Sequence, residues 1–120
     1  MVSLFTTFYK KCILKAVEEI PLKYNFDWDP NKARKNLKKH GVSFGRAAEI
    51  FLDPSAISIL DKEHSDQEDR WVTLGKDSNG SALLIVHTFR EISVNQWNIR
   101  IISARKATRK EKRQYEEGAK

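Results

Sequence analysis

The apolar pattern changes period once, at Asp53-Pro54, and that change limits what the chain can fold into. Ahead of it apolar residues recur at helical spacing, and beyond it they alternate or run in short blocks broken by turn residues, so helices precede a sheet. Asp29 can cap free backbone amides, Pro30 supplies a preset first helical position, and the helix they start should run to His40. Gly41 suits the left-handed residue that closes it. Ser43 can cap a second helix whose Phe44, Ala47, Ala48 and Phe51 form one stripe and which Asp53-Pro54 ends.

Residues 56–60 then read as a strand and the acidic stretch 61–69 as a loop. Residues 71–75 and 81–89 are strands flanking Asn79-Gly80, a pair that tolerates the positive φ angles of tight hairpins. After a loop around 91–95, residues 97–104 make a fourth strand, and residues 26–28 offer an additional N-terminal edge strand. Thr108 and Glu111 have capping-box spacing, so a short C-terminal helix begins there. The expected fold class is α+β: a twisted antiparallel sheet of about four strands with two helices on one face and a short C-terminal helix.

A chain of 120 residues suits one core, and 40% hydrophobic with 32% charged residues is the balance of a folded globular domain. Residues 1–25 read as a partly helical extension, with Ile13, Val17 and Ile20 at helical spacing before Pro21, and residues 26–120 as the domain. The apolar opening is cut off by Lys10 and Lys11 and has neither a basic leader nor a small-residue cleavage site, so the expected location is cytoplasmic, without a membrane segment. Cys12 is the single cysteine, and the three histidines have no ligand-like spacing with it, so neither a metal nor a cofactor is expected.

The net charge of +6 favours polyanionic partners. Basic residues gather at 32–39 and 100–113 and acids at 61–69, which predicts a polarised surface. Arg90, Arg100 and Arg105 sit on or beside the last two strands, where neighbouring guanidinium groups can grip paired phosphate oxygens. His87 can give or take a proton near neutrality. The same residues also suit a purely structural arrangement, in which strand arginines pair with carboxylates and the histidine is hydrogen-bonded in place. His87 and Arg90 differ in parity, so both serve one site only if a bulge or the strand's end re-aims Arg90. His40 suits a helix C-terminus, and Trp28, Trp71 and Trp97 suit the core better than base stacking.

Taken together the residues resemble the BrnT toxins of type II toxin-antitoxin pairs. The resemblance begins at Phe26-Asp27-Trp28-Asp29-Pro30-Asn31-Lys32-Ala33 and continues through Asn36, Lys39-His40-Gly41-Val42-Ser43-Phe44, Ala47-Ala48, Phe51 and Asp53-Pro54. It runs on through residues 70–75, Val86-His87-Thr88-Phe89-Arg90 and residues 100–108, ending at Glu111 and Tyr115. It implies a RelE-like fold and metal-independent endoribonuclease activity that inhibits translation. It also implies neutralisation by a BrnA-like ribbon-helix-helix antitoxin, in a heterotetramer that reaches operator DNA only through the antitoxin. Cleavage by attack of a ribose 2′-hydroxyl on the adjacent phosphate needs a base, an acid and cations for the developing charge. On the resemblance, Arg90 and Arg105 are assigned to the phosphate, His87 to proton transfer, and Glu111 and Tyr115 to supporting catalytic roles. Arg100, Lys32 and Lys39 are the expected RNA contacts. Glu111 has a competing place in the capping box, and Tyr115 can equally close the core or meet the antitoxin. The alternative is a non-catalytic nucleic-acid-binding or interaction module of the same fold.

Overall fold

A computed structural model describes residues 23–64 and 68–118. The expected N-terminal helix and Cys12 lie outside them. The elements run β1 (Lys23–Asp27), α1 (Pro30–His40), α2 (Phe44–Ala48) continued as a 3-10 turn (Glu49–Leu52), β2 (Ile57–Asp61), β3 (Arg70–Lys76), β4 (Ala82–Ser93), β5 (Gln96–Lys106) and α3 (Arg109–Gly118). The helix signals act as their chemistry requires. The Asp29 side chain accepts from the Asn31 amide at 2.8 Å and Ser43 Oγ from the Arg46 amide at 3.1 Å. Gly41 closes α1 at φ 70°, its amide donating to Leu37 O.

The sheet has five strands in the order β1-β5-β4-β3-β2 and is mixed, which corrects the expected antiparallel sheet. β2 to β5 form the antiparallel meander, whereas β1 joins β5 in parallel, with Tyr24 beside Trp97 and Phe26 beside Ile99. The helical layer between β1 and β2 carries the chain across the sheet, so β1 reaches the β5 edge in the same sense as β5. β1 also straddles the expected boundary between residues 25 and 26.

The expected loop at 91–95 is mostly strand: β4 runs to Ser93 and β5 starts at Gln96, braced by the Phe89 and Trp97 rings stacked at 4.4 Å. In the β3–β4 hairpin only Gly80 takes a positive φ, 82°, and Asn79 does not. The Asp77 carboxylate organises that turn by accepting from the amides of Asn79 and Ser81, both at 2.9 Å, so a left-handed Asn79 is not required.

One face of the sheet carries the core. Leu83, Ile85, Ile99, Ile101 and Ala104 pack there against Val42, Phe44, Ala47, Ile50 and Phe51, with Trp28 edge-on to Phe44 at 5.9 Å. Ile101 and Ala104 are three residues apart yet both face inward, because β5 carries an extra residue where Val86 pairs Ser103 and His87 pairs Ile101. β1 covers the free edge of β5 only over residues 96–100. Beyond it Asn36, buried on α1, takes over the pairing. Its Nδ2 donates to Ala104 O at 2.8 Å and Val42 O at 3.0 Å, and its Oδ1 accepts from Ala104 N at 3.1 Å.

Candidate functional site: the second face of the sheet

Strand alternation sends the other set of side chains to the face opposite α1 and α2. On β4 these are Leu84, Val86, Thr88 and Arg90; their β5 partners are Arg105, Ser103, Arg100 and Asn98. The bulge in β5 matters here, since without the extra residue Arg100 and Arg105 would differ in parity and face opposite ways. A transverse row crosses this face, with Asp61 opposite Arg70, Arg70 opposite Thr88, Thr88 opposite Arg100, and Arg100 opposite Asp27. Arg100 Nη1 donates to Asp27 Oδ1 at 3.1 Å, and Asn98 Nδ2 to Asp27 Oδ2 at 3.3 Å, so one exposed carboxylate steadies both. Arg90 is exposed on the next rung, beside Asn98 and diagonal to Arg100. Two guanidinium groups thus share an open patch of sheet.

Arg105 lies elsewhere on the same face. It pairs with Leu84, six residues from Arg90 along β4, which is about 20 Å at ~3.3 Å per residue. The expected joint site of Arg90 and Arg105 is therefore split, and Arg100 is the nearer partner of Arg90. Arg105 grips both oxygens of Glu111, Nη1 to Oε1 at 2.8 Å and Nη2 to Oε2 at 2.9 Å. The capping box forms as well: the Thr108 amide donates to Glu111 Oε1 at 2.9 Å and the Glu111 amide to Thr108 Oγ1 at 3.2 Å. The bond from Arg105 holds the Glu111 carboxyl down at about 2, with the Thr108 amide adding to it, so Glu111 is ionised and a weak proton acceptor. The fork closes α3 onto β5.

Tyr115 donates to Asp53 Oδ2 at 2.6 Å, and Lys76 Nζ stands 5.4 Å from its ring centre. Burial, with the hydrogen bond to Asp53 next, pushes its phenol up to about 12. Asp53 Oδ2 also accepts from the Lys76 amide at 2.8 Å, so Tyr115 ties α3 to the loop before β2 and to β3. Glu111 and Tyr115 are anchoring groups in this arrangement.

His87 faces the core, as regular alternation demands, while Arg90 faces the other way. It is fully buried, edge-on to Phe51 at 4.8 Å. Nδ1 lies 2.9 Å from Thr88 O, which can only accept, so Nδ1 carries the proton and Nε2 accepts from Thr73 Oγ1 at 2.6 Å. Thr73 Oγ1 in turn accepts from Ser58 Oγ at 2.7 Å. A directed chain of hydrogen bonds thus crosses β2, β3 and β4 inside the core. Burial lowers the imidazole to about 4, which keeps the ring neutral, and with both nitrogens engaged it does not reach the arginines. The proton-transfer role expected of His87 does not fit this position; it positions strands.

Lys32 and Lys39 are exposed on α1, on the helix-covered side of the sheet, and so do not join the arginines. Sequence reasoning missed Asp27 and Asn36 as anchors. The signal for Asn36 was a polar residue on the inward stripe of an amphipathic helix.

The family model described as "Ribonuclease toxin, BrnT, of type II toxin-antitoxin system" matches residues 28–111. The crystal structure of the Brucella abortus ribonuclease toxin BrnT superposes with a TM-score of 0.53 at 22% identity, covering 72% of this chain and all of that one. The comparison with curated protein sequences gives no match. The class defined is that of the ribonuclease toxins of type II toxin-antitoxin systems, built here as helices on a five-stranded mixed sheet. Within it, the chain belongs to the BrnT family, since the match spans well over half of its length. Membership implies an antitoxin partner. No helix among the described residues is long and apolar enough to cross a membrane.

Proposed function

We propose that this chain is a metal-independent endoribonuclease of RelE-like design that arrests translation in the bacterial cytoplasm. A BrnA-like ribbon-helix-helix antitoxin holds it inactive in a heterotetramer that reaches operator DNA through the antitoxin. The observation that carries the reading is the open patch where Arg90 and Arg100 stand on adjacent rungs of the face opposite α1 and α2, beyond the end that α3 covers. Two guanidinium groups on rigid strands are matched to a phosphodiester and to the extra negative charge it gains when a 2′-hydroxyl attacks. Asp27, held by Arg100 and Asn98, is the carboxylate set beside that phosphate, and accepts the hydroxyl proton. Arg105, Glu111 and Tyr115 hold α3 against the sheet, and the buried chain ending at His87 keeps β2, β3 and β4 in register below the patch.

Incubation of the purified full chain with RNA in excess EDTA tests this reading. Cleavage is expected, and replacing both Arg90 and Arg100 by alanine lowers its rate at least ~100-fold, the typical loss on deleting one preorganised donor to a developing oxyanion. Cleavage that needs a divalent ion, or that survives in the double variant, refutes the assignment. Growth arrest on expression without antitoxin is the parallel test in cells.

A further inference from the structure

A second cluster of cations stands at the other end of the strands. A cleft of about 410 Å³ lies between α3 and the β3–β4 hairpin, lined among others by Lys76, Lys106, Lys112, Tyr115 and Glu116. The three lysines are exposed and come from three different elements, β3, β5 and α3. None of them has an ion-pair partner among the described residues. The neighbouring carboxylates are otherwise occupied. Asp77 pairs with Arg46 at 2.5 Å, Asp53 accepts from Tyr115 and from the Lys76 amide, and Glu49 accepts from the amide and hydroxyl of Ser78. Among the described residues Glu116 is the single acid lining the cleft, against three lysines, so the described rim is net positive.

We infer that this lysine cleft is a second phosphate subsite, holding the backbone of single-stranded RNA several nucleotides from the bond that is cut; this rests on the ribonuclease reading above. Lys76 pairs with Ala82, six residues along β4 from Thr88, the partner of Arg100, so the cleft and the arginine patch lie about 20 Å apart. A stacked strand rises roughly 3.4 Å per nucleotide, so about six nucleotides bridge the two. Lysine suits such a subsite, because a flexible ammonium binds a phosphate as a point charge without imposing the orientation a cleavage site needs. The subsite therefore supplies affinity and salt sensitivity, while Arg90 and Arg100 supply the chemistry.

The test uses the full chain and uncleavable 2′-O-methyl RNA oligonucleotides of about four and about twelve nucleotides, lengths below and above the span. Wild type should bind the longer one with a steeper dependence of log K on log salt. Replacing Lys76, Lys106 and Lys112 together by alanine should reduce that slope by about 2, at ~0.7 per lost phosphate contact on a single strand, and leave the short oligonucleotide's affinity unchanged. An unchanged slope for the long oligonucleotide, with the short one still bound, overturns the subsite and leaves the ribonuclease reading standing. Loss of antitoxin binding in the lysine variant without a change in slope also overturns it, by making the cleft a protein contact. Failure of wild type to bind either oligonucleotide removes the ribonuclease reading and the subsite together.

Discussion

Replacing Asn36 by alanine should cost this domain about 3–5 kcal/mol. Asn36 is 7% exposed and its side chain makes three bonds, to Ala104 O, Ala104 N and Val42 O. Each is worth about 1 kcal/mol net, and each buried group left without a partner adds part of a desolvation cost of ~1–3 kcal/mol. Little relaxation is available: the bulge sets the register of Ala104, and β1, which could have satisfied that edge, ends its pairing at Arg100. Against a total stability of about 5–15 kcal/mol, this is a large fraction. At ~4–8 °C per kcal/mol the melting temperature should fall by more than about 10 °C. Urea titration followed by tryptophan fluorescence measures the loss directly, with m unchanged if only the native state is affected. Asn36→Asp is the companion variant. It keeps an acceptor for Ala104 N but sets a buried charge against two carbonyl oxygens, so it should be at least as destabilised at neutral pH. A loss below about 1 kcal/mol for the alanine variant would refute the claim that one amide replaces β1 along β5.

Other outcomes follow from the buried and paired groups. Because the folded state holds His87 neutral down to about 4, the unfolded chain binds the extra proton first, and stability falls as pH drops from about 6.5 towards 4. The loss at pH 5 is about 2 kcal/mol at ~1.4 kcal/mol per unit, and His87→Gln, measured by urea titration across that range, should flatten the dependence. Glu111 is depressed to about 2, so its contribution is present above about pH 4.5 and fades as pH falls towards 2. Since the Arg105 side chain is 38% exposed, solvent screening leaves the pair worth about 1 kcal/mol, and thermal melts of Glu111→Gln at pH 7 should show a loss of that size. Asp27→Asn should slow RNA cleavage in EDTA by about 100-fold or more with near-normal RNA binding, as removal of a general base does; wild-type rates would exclude it as proton acceptor.

Much of this architecture is legible in local chemistry. Asp29-Pro30, Gly41, Ser43 and the Thr108/Glu111 box act through bonds within a few residues, so each helix end lies where its residues place it. The opposite parity of His87 and Arg90 is likewise a property of one strand, and it holds. By contrast, whether β1 runs parallel or antiparallel to β5 depends on the path of the helical layer, and the extent of the β4–β5 hairpin depends on a cross-strand ring stack.

The arginine patch marks the division between the two kinds of information. The sequence by itself determined which residues carry the cationic charge and that they lie on the last two strands, since composition and alternation are local. Only the tertiary structure decided which of them meet. A single extra residue in β5 brings Arg100 and Arg105 to one face, the register separates Arg105 from Arg90, and Glu111 then occupies its fork. Packing against Phe51 and the bond from Thr73 likewise decided that His87 is a neutral strut inside the core. Register and burial arise from contacts between segments far apart in the chain, and no single segment encodes them.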